Sequence, residues 1–354
     1  MIGLAFVLLL ALLAVATLAF ILHANRRNPP LGRRVLLTHA DGSRSALHVI
    51  ERGDGSDGEP PLLFLHGACG NALDQLGAFG HRLPPTRRAI FVDRPGHGYS
   101  DRGPHASTPS GQADALVTAL DALGIERAVV VGHSFGGAVA LGMAIEHPER
   151  VAGLVLLAPA SHPWPGAGTA WFYELAARPV LGRLFSWTLV VPFGIGRVAG
   201  GVAGVFQPQP VPADYARASG AALAIRPGAF RATALDVTRL HAWFEEHAAR
   251  YEAITAPTVI VTGDEDRIVW PEVHAMPLAR TIRDAKLVTV PGLGHKPDYV
   301  VGDLVVEAIE AVTRGQVGGF EPVVPRVPRA SVQPEPDEIE PGIETGPDVP
   351  EIAR

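Results

Sequence analysis

Ala128-Val129-Val130-Val131-Gly132-His133-Ser134-Phe135-Gly136-Gly137-Ala138-Val139 decides how this chain is read. The run Ala128–Val131 is short, apolar and β-branched, as a strand buried on both faces would be. The stretch Phe135–His147 then has helical character. Between them stands Gly132-x-Ser134-x-Gly136, with the serine at the sharp turn from strand to helix. A serine there projects its Oγ above the strand's C-terminal end. The flanking glycines let backbone pack where a Cβ would clash. The following helix aims its N-terminal N–H groups at any negative charge that develops. In a chain with 39 Gly the bare pattern carries little weight; the strand–turn–helix setting gives it meaning.

Outward from this turn the same alternation continues. Val35–Thr38 and Ala46–Ile50 read as a hairpin joined through Asp41-Gly42. Leu62–Leu65, Ala89–Val92, Leu154–Leu157, Thr258–Thr262 and Leu287–Val290 read as further buried strands. Helices are expected over Ala72–Leu83, Pro109–Leu123, Val273–Thr281 and Asp298–Val312. Repeated strand–helix alternation calls for a parallel sheet with helices on both faces.

Four more motifs stand at the ends of these strands. They are Leu65-His66-Gly67-Ala68-Cys69-Gly70-Asn71, Asp93-Arg94-Pro95-Gly96-His97-Gly98-Tyr99-Ser100, Gly263-Asp264-Glu265-Asp266 and Gly294-His295-Lys296-Pro297. With the serine turn, their order and spacing from about Leu31 to Val312 resemble the α/β-hydrolase superfamily, specifically its capped serine hydrolases of esterase and lipase type. The resemblance implies an α/β-hydrolase fold: a mostly parallel eight-stranded sheet, helices on both faces, and a helical cap inserted after the sixth strand.

The chemistry follows in part from the residues alone. A serine hydroxyl needs an imidazole to take its proton, and the imidazole needs an orienting carboxylate. In this fold the order along the chain is Ser, acid, His. Of 14 His, His274 and His295 follow the seventh strand. His295 lies in a Gly-rich turn after the last strand and is expected to be the general base; His274 falls in a helix and is expected at the surface. For the acid, Asp264, Glu265 and Asp266 compete. The family pattern puts the carboxylate three residues after the strand-end glycine, which is Asp266, and leaves Asp264 a turn role. Trp270 departs from that pattern, standing where relatives often carry Pro. Phe135, next after the nucleophile, offers one oxyanion N–H; the resemblance implies Ala68 for the other. Cys69 reads as a small buried filler, and His66 and His97 as structural.

The ends of the chain are unlike its middle. Ile2–Leu22 is 21 residues without a charge, and at 1.5 Å per residue it spans roughly 30 Å, a bilayer's hydrocarbon core. A transmembrane anchor over 1–24 is the expectation, with a cleaved signal peptide and a core helix as rivals. Arg26, Arg27, Arg33 and Arg34 place the rest of the chain on the cytoplasmic side by the positive-inside rule. At the other end, 314–354 holds eight Pro, eight acidic and four basic residues, the composition of a disordered acidic tail. It carries −4 of the net −6, so the remainder is nearly neutral and offers no footprint for nucleic acid. The single Cys excludes an internal disulfide and a Cys-rich zinc module.

Between the two parts of the core, 31–161 and 251–313, the alternation lapses. Residues 162–250 hold 12 of the chain's 23 aromatics, which fits either a cap over an apolar ligand or a helical subdomain with its own core. Gly194-x-Gly196-x-x-Ala199 imitates a dinucleotide fingerprint, but Pro192 breaks the junction to any preceding strand. No His/Cys cluster has metal-ligand spacing, so neither cofactor nor metal is expected. Together these features point to a membrane-anchored serine hydrolase acting on a small lipophilic ester, such as a monoacylglycerol or medium-chain ester. A carbon–carbon bond hydrolase of ring-cleavage products is the rival within the fold, and a non-catalytic, membrane-tethered ligand-binding protein the rival outside it. The sequence identifies no protein partner.

Overall fold

The computed structural model describes residues 2–39, 41–166 and 168–327. Eight strands, β1 (Arg33–Thr38), β2 (Arg44–Arg52), β3 (Leu62–Leu65), β4 (Ala89–Val92), β5 (Ala128–His133), β6 (Val151–Leu157), β7 (Thr258–Gly263) and β8 (Lys286–Val290), form one sheet in the order β1-β2-β4-β3-β5-β6-β7-β8. The β1–β2 hairpin is antiparallel and β2 joins β4 antiparallel; every other pairing is parallel. Strands β3 to β7 are buried nearly throughout, which is why their sequences are continuous apolar runs and not alternating ones.

Each face of the sheet has its own core. On one, Val130 and Leu156 meet Leu116, Leu141 and Leu278 of the helices Pro109–Ala122, Phe135–Glu146 and Ala275–Thr281. On the other, Val129 and Val131 meet Phe79 of the helix Ala72–Phe79 and Val305 and Ile309 of the helix Gly302–Thr313. The expected helix Asp298–Val312 is two helices, Pro297–Val300 and Gly302–Thr313, because Val301 leaves helical geometry at ψ 40°. The helix Ala72–Phe79 stops short of Leu83 where Gly80 caps it, its N–H on the Leu76 carbonyl at 2.8 Å.

Between β6 and β7 the chain makes helices Trp171–Ala177, Leu181–Thr188, Val190–Gly194, Val198–Phe206, Tyr215–Ala218 and Pro227–His247. The long last one sends Leu240, Trp243 and Phe244 into the same apolar core as the sheet. Near the other end of the chain, residues 314–327, read as the start of the tail, are largely exposed but touch the core at two points. Val317 and Val327 are buried against the second core, and Glu321 pairs with Lys286 at 2.6 Å. Composition misses this because two valines, Val317 and Val327, seat a segment otherwise rich in Gly and Pro with most of its side chains exposed. The rest of the expected tail, 328–354, lies outside the described residues. The N-terminal helix runs Ile2–Arg27, long and apolar enough to cross a membrane.

Candidate active site

Parallel strands all end at one edge of the sheet, and the loops leaving β3, β4, β5, β7 and β8 there bring the five motifs together. Ser134 follows β5 with φ 54° and ψ −118°, a strained backbone for a residue with a Cβ. It is held by its N–H on the Leu157 carbonyl at 2.9 Å, and by its own carbonyl accepting from Gly137 at 2.9 Å and Ala160 at 3.2 Å. The tight approach explains the glycines: a Cβ on Gly136 would lie 2.2 Å from the Leu65 carbonyl oxygen.

His295 and Asp266 meet here, 29 residues apart in sequence. His295 Nδ1 donates to Asp266 Oδ2 at 2.7 Å, and both side chains are buried. The other carboxylate oxygen of Asp266 accepts the N–H groups of Ile268 and Val269, each at 2.9 Å. With Nδ1 as donor, Nε2 is left with the lone pair a general base uses. Asp264 does the turn work expected of it, accepting the Gly292 N–H at 2.6 Å. Trp270 leaves the loop intact and turns its indole N–H to the Arg267 carbonyl at 3.1 Å.

His133, beside Ser134, ties the two halves of the site together. Its Nε2 donates to the His295 carbonyl at 2.8 Å, with the two rings 4.9 Å apart. Burial, then the charge of Lys296, pushes His133 well below the usual histidine range, so it stays neutral in this tautomer.

The loop after β3 is fixed from beneath by a side chain the sequence reading assigned no role. Arg94 is fully buried; its Nε donates to the His66 carbonyl at 2.9 Å and its Nη2 to the Gly67 carbonyl at 3.1 Å. The Gly67 oxygen also accepts from His66 Nδ1 at 2.8 Å. A peptide is planar and trans, so with its C=O turned onto these donors the Ala68 N–H points the opposite way, away from Arg94. A Cβ on Gly67 would stand 3.1 Å from Ser134 Cβ. Gly67→Ala is therefore expected to lower kcat at least tenfold while the protein stays folded, read from ester kinetics beside a melting curve.

Arg94 also reaches the inserted helices. Its Nη1 pairs with Asp236 of the helix Pro227–His247 at 2.9 Å, and Arg102 binds the other oxygen at 2.6 Å. Asp236 is the single acid between Asp214 and Glu245, a sequence signal for a buried ion pair that went unused. Arg94→Met leaves Asp236 with Arg102 as its one cation, His97 at 3.9 Å being held neutral, and should cost about 3 kcal/mol in urea unfolding, with Asp236→Leu in the same chain restoring much of it.

Two expectations are corrected. His274 is buried, not at the surface: it caps the helix Ala275–Thr281, and its Nδ1 accepts the N–H groups of Ser161 and His162, each at 3.2 Å. Helical periodicity cannot register a contact 113 residues away. Cys69 is exposed, not a buried filler; at φ 57° its side chain turns out toward Tyr173, whose hydroxyl is 3.5 Å from Sγ. His66 and His97 are structural, as expected, each buried and hydrogen-bonded at both ring nitrogens.

One group of described residues has metal-ligand spacing: Asp74, His133 and Asp298, with ligand atoms within 4.8 Å. The Lys296 ammonium already bonds Asp74 at 3.0 Å and Asp298 at 2.8 Å, so the positive charge there is supplied by the chain. Burial opposes that charge, yet Asp298 and Asp74 hold it above the usual lysine range.

Residues 60–297 match the family described as alpha/beta hydrolase fold. The chain belongs to that family. A curated relative of this α/β hydrolase is 2-hydroxymuconate semialdehyde hydrolase from Pseudomonas sp. strain CF600, 30% identical over 81% of this chain and 98% of its own. Two solved structures share the fold. One is a thermophilic esterase from Thermogutta terrifontis, with TM-score 0.59 and 24% identity over 80% of this chain and 99% of its own. The other is an alpha/beta hydrolase fold protein from Burkholderia ambifaria, with TM-score 0.63 and 22% identity over 79% and 97%.

The buried histidines of this hydrolase make its stability depend on acid. Burial comes first among the causes that lower His66, His97 and His133 well below the usual range and bring His274 down to about 3. Below the unfolded-state value near 6.5 the unfolded chain takes up protons that the folded chain refuses, so stability falls as pH falls. Each contributes a slope of about 1.4 kcal/mol per pH unit in that window. Urea midpoints should be flat above about pH 7 and drop steeply from about pH 6 to 5.

Proposed function

We propose that this chain is a membrane-anchored serine hydrolase that cleaves a carboxylic ester of a lipophilic substrate, such as a monoacylglycerol or a medium-chain ester. The observation that carries the reading is the 2.7 Å bond from His295 Nδ1 to Asp266 Oδ2, buried beside the strained turn that presents Ser134. His295 Nε2 takes the Ser134 proton as Oγ attacks the ester carbonyl. The oxyanion lies on the N–H groups of Ala68 and Phe135. His295 then passes the proton to the departing alkoxide, leaving an acyl-enzyme. Water, deprotonated by the same nitrogen, attacks the acyl carbon and regenerates Ser134.

The inserted helices supply the apolar surroundings. Phe172, Tyr173 and Phe230 form one aromatic cluster, with ring centroids 4.6 to 6.3 Å apart, and Tyr173 reaches Cys69 beside the oxyanion loop. The N-terminal helix Ile2–Arg27 acts as the anchor, with Arg26, Arg27, Arg33 and Arg34 on the cytoplasmic side together with the hydrolase.

The relative named 2-hydroxymuconate semialdehyde hydrolase favours a second reading, hydrolysis of a carbon–carbon bond in a ring-cleavage product. Such a substrate needs cations for its carboxylates. Three cap arginines, Arg226, Arg231 and Arg239, are candidates for that role, and among the described residues each bonds only neutral groups. Arg226 bonds Asn25 and the Gly98 carbonyl, Arg231 the Ala176 carbonyl at 3.2 Å, and Arg239 the Ser107 hydroxyl at 2.6 Å. A fluorophosphonate probe should label the wild-type chain and spare Ser134→Ala; equal labelling of both sinks the reading. On p-nitrophenyl esters of increasing chain length, kcat/KM should climb from acetate to the medium-chain acyl groups. A flat series, with turnover of a ring-cleavage dienoate instead, would install the second reading.

A further inference from the structure

The segment after the helix Trp171–Ala177 supplies none of the residues assigned to the reaction. From Leu184 to Ala213 it has one charged side chain, Arg197, in 30 residues. A soluble protein buries helices of that composition. Here the arrangement is reversed. In the helix Leu181–Thr188 the small or polar Gly182, Ser186 and Thr188 are buried, while Leu181, Leu184 and Trp187 are 45 to 51% exposed. Phe193, in the helix Val190–Gly194, and Ile195, just after it, are 63% and 54% exposed. The helix Val198–Phe206 is built of Val, Ala, Gly and Phe, with Phe206 its one buried residue.

The N-terminal helix packs on these same elements, Leu181–Thr188 and Val190–Gly194. Its buried and half-buried positions include Leu10, Leu13, Ala14, Thr17, Ile21 and Ala24, a single stripe at helical spacing. From Leu10 to Ala24 that stripe runs about 21 Å. A helix crossing a hydrocarbon core about 30 Å thick carries such a stripe inside it. Whatever packs along the stripe shares its depth. The two exposed cations on the segment, Arg183 and Arg197, have stems long enough to carry their guanidiniums toward headgroups.

We infer that residues 181–206 are immersed in the bilayer's hydrocarbon beside the N-terminal helix, so that the inserted helices, and not the anchor alone, bind the membrane. The inference rests on the anchor reading of Ile2–Arg27. It gives substrate a route that avoids water. Trp171, 70% exposed, and Tyr173, against Cys69 of the oxyanion loop, share the helix Trp171–Ala177; an ester leaving the lipid meets that helix before it meets Ser134.

The test uses full-length protein carrying Cys69→Ser, with one new cysteine labelled by an environment-sensitive nitrobenzoxadiazole dye. It is reconstituted in phosphatidylcholine vesicles with or without a doxyl-chain quencher. Labels go at Phe193 or Ile195, with Leu8 of the N-terminal helix and Asp121 of the core as references. Blue-shifted emission and quenching at 193 and 195, matching Leu8 and absent at Asp121, is the expected result. Quenching at Leu8 with 193 and 195 behaving like Asp121 overturns the inference and leaves the anchor standing. No quenching at Leu8 overturns the anchor reading itself. Dye exchange between copies at 193 without lipid quenching overturns the inference in favour of a second copy covering this face.

Discussion

Ser134→Ala is expected to lower kcat on a medium-chain p-nitrophenyl ester by about 10⁴ to 10⁶ while KM changes little. The loss is large because nothing nearby replaces the nucleophile. The serine's Cβ is close-packed against Gly67, and its backbone is pinned by Leu157, Gly137 and Ala160. The remaining activity would come from the two oxyanion N–H groups and substrate binding. A melting curve equal to or above that of the wild type would accompany it, since the strained Ser134 backbone stabilises nothing by itself. A loss smaller than about tenfold would exclude Ser134 as nucleophile.

Asp266→Asn is expected to cost about 10⁴ in kcat near neutral pH. Asparagine keeps the size and the acceptor for Ile268 and Val269. However, an amide NH₂ facing His295 Nδ1 makes that nitrogen an acceptor and moves the imidazole proton to Nε2, where it blocks proton removal from Ser134. Asp264→Asn provides the contrast: its oxygen holds the Gly292 N–H and does not meet His295, so activity should stay within a few-fold. If the two variants lose activity equally, the carboxylate is acting through loop stability and not through the histidine.

Those two aspartates show where sequence reading reaches its limit. They stand two residues apart on one loop, and composition, periodicity and spacing treat them alike. Family pattern favours Asp266; the 2.7 Å contact to a histidine 29 residues later distinguishes them physically. The same limit explains the errors. His274 looks like a surface residue by helical periodicity but is buried by backbone 113 residues earlier in the chain. Arg94 stands inside a strand-end motif without an evident role because its partners, Gly67 and Asp236, come from two other elements. Residues 314–327 look like tail because the two valines that seat them, Val317 and Val327, stand apart among Gly, Pro and charged residues and follow no strand or helix period.

By itself the sequence determined the elements and the chemistry available to them. Continuous apolar runs became doubly buried strands, Gly132-x-Ser134-x-Gly136 became the turn that strains and lifts the serine, and the uncharged N-terminus became one long helix. These are local outcomes, set by side-chain shape and backbone sterics within a few residues. Only the tertiary structure decided which acid faces His295, how Arg94 pins the His66 and Gly67 carbonyls of the loop after β3, and which face of the inserted helices stays uncovered. Each depends on groups tens to hundreds of residues apart in sequence. Their meeting is imposed by the parallel sheet, which gathers the C-terminal ends of its strands at one edge.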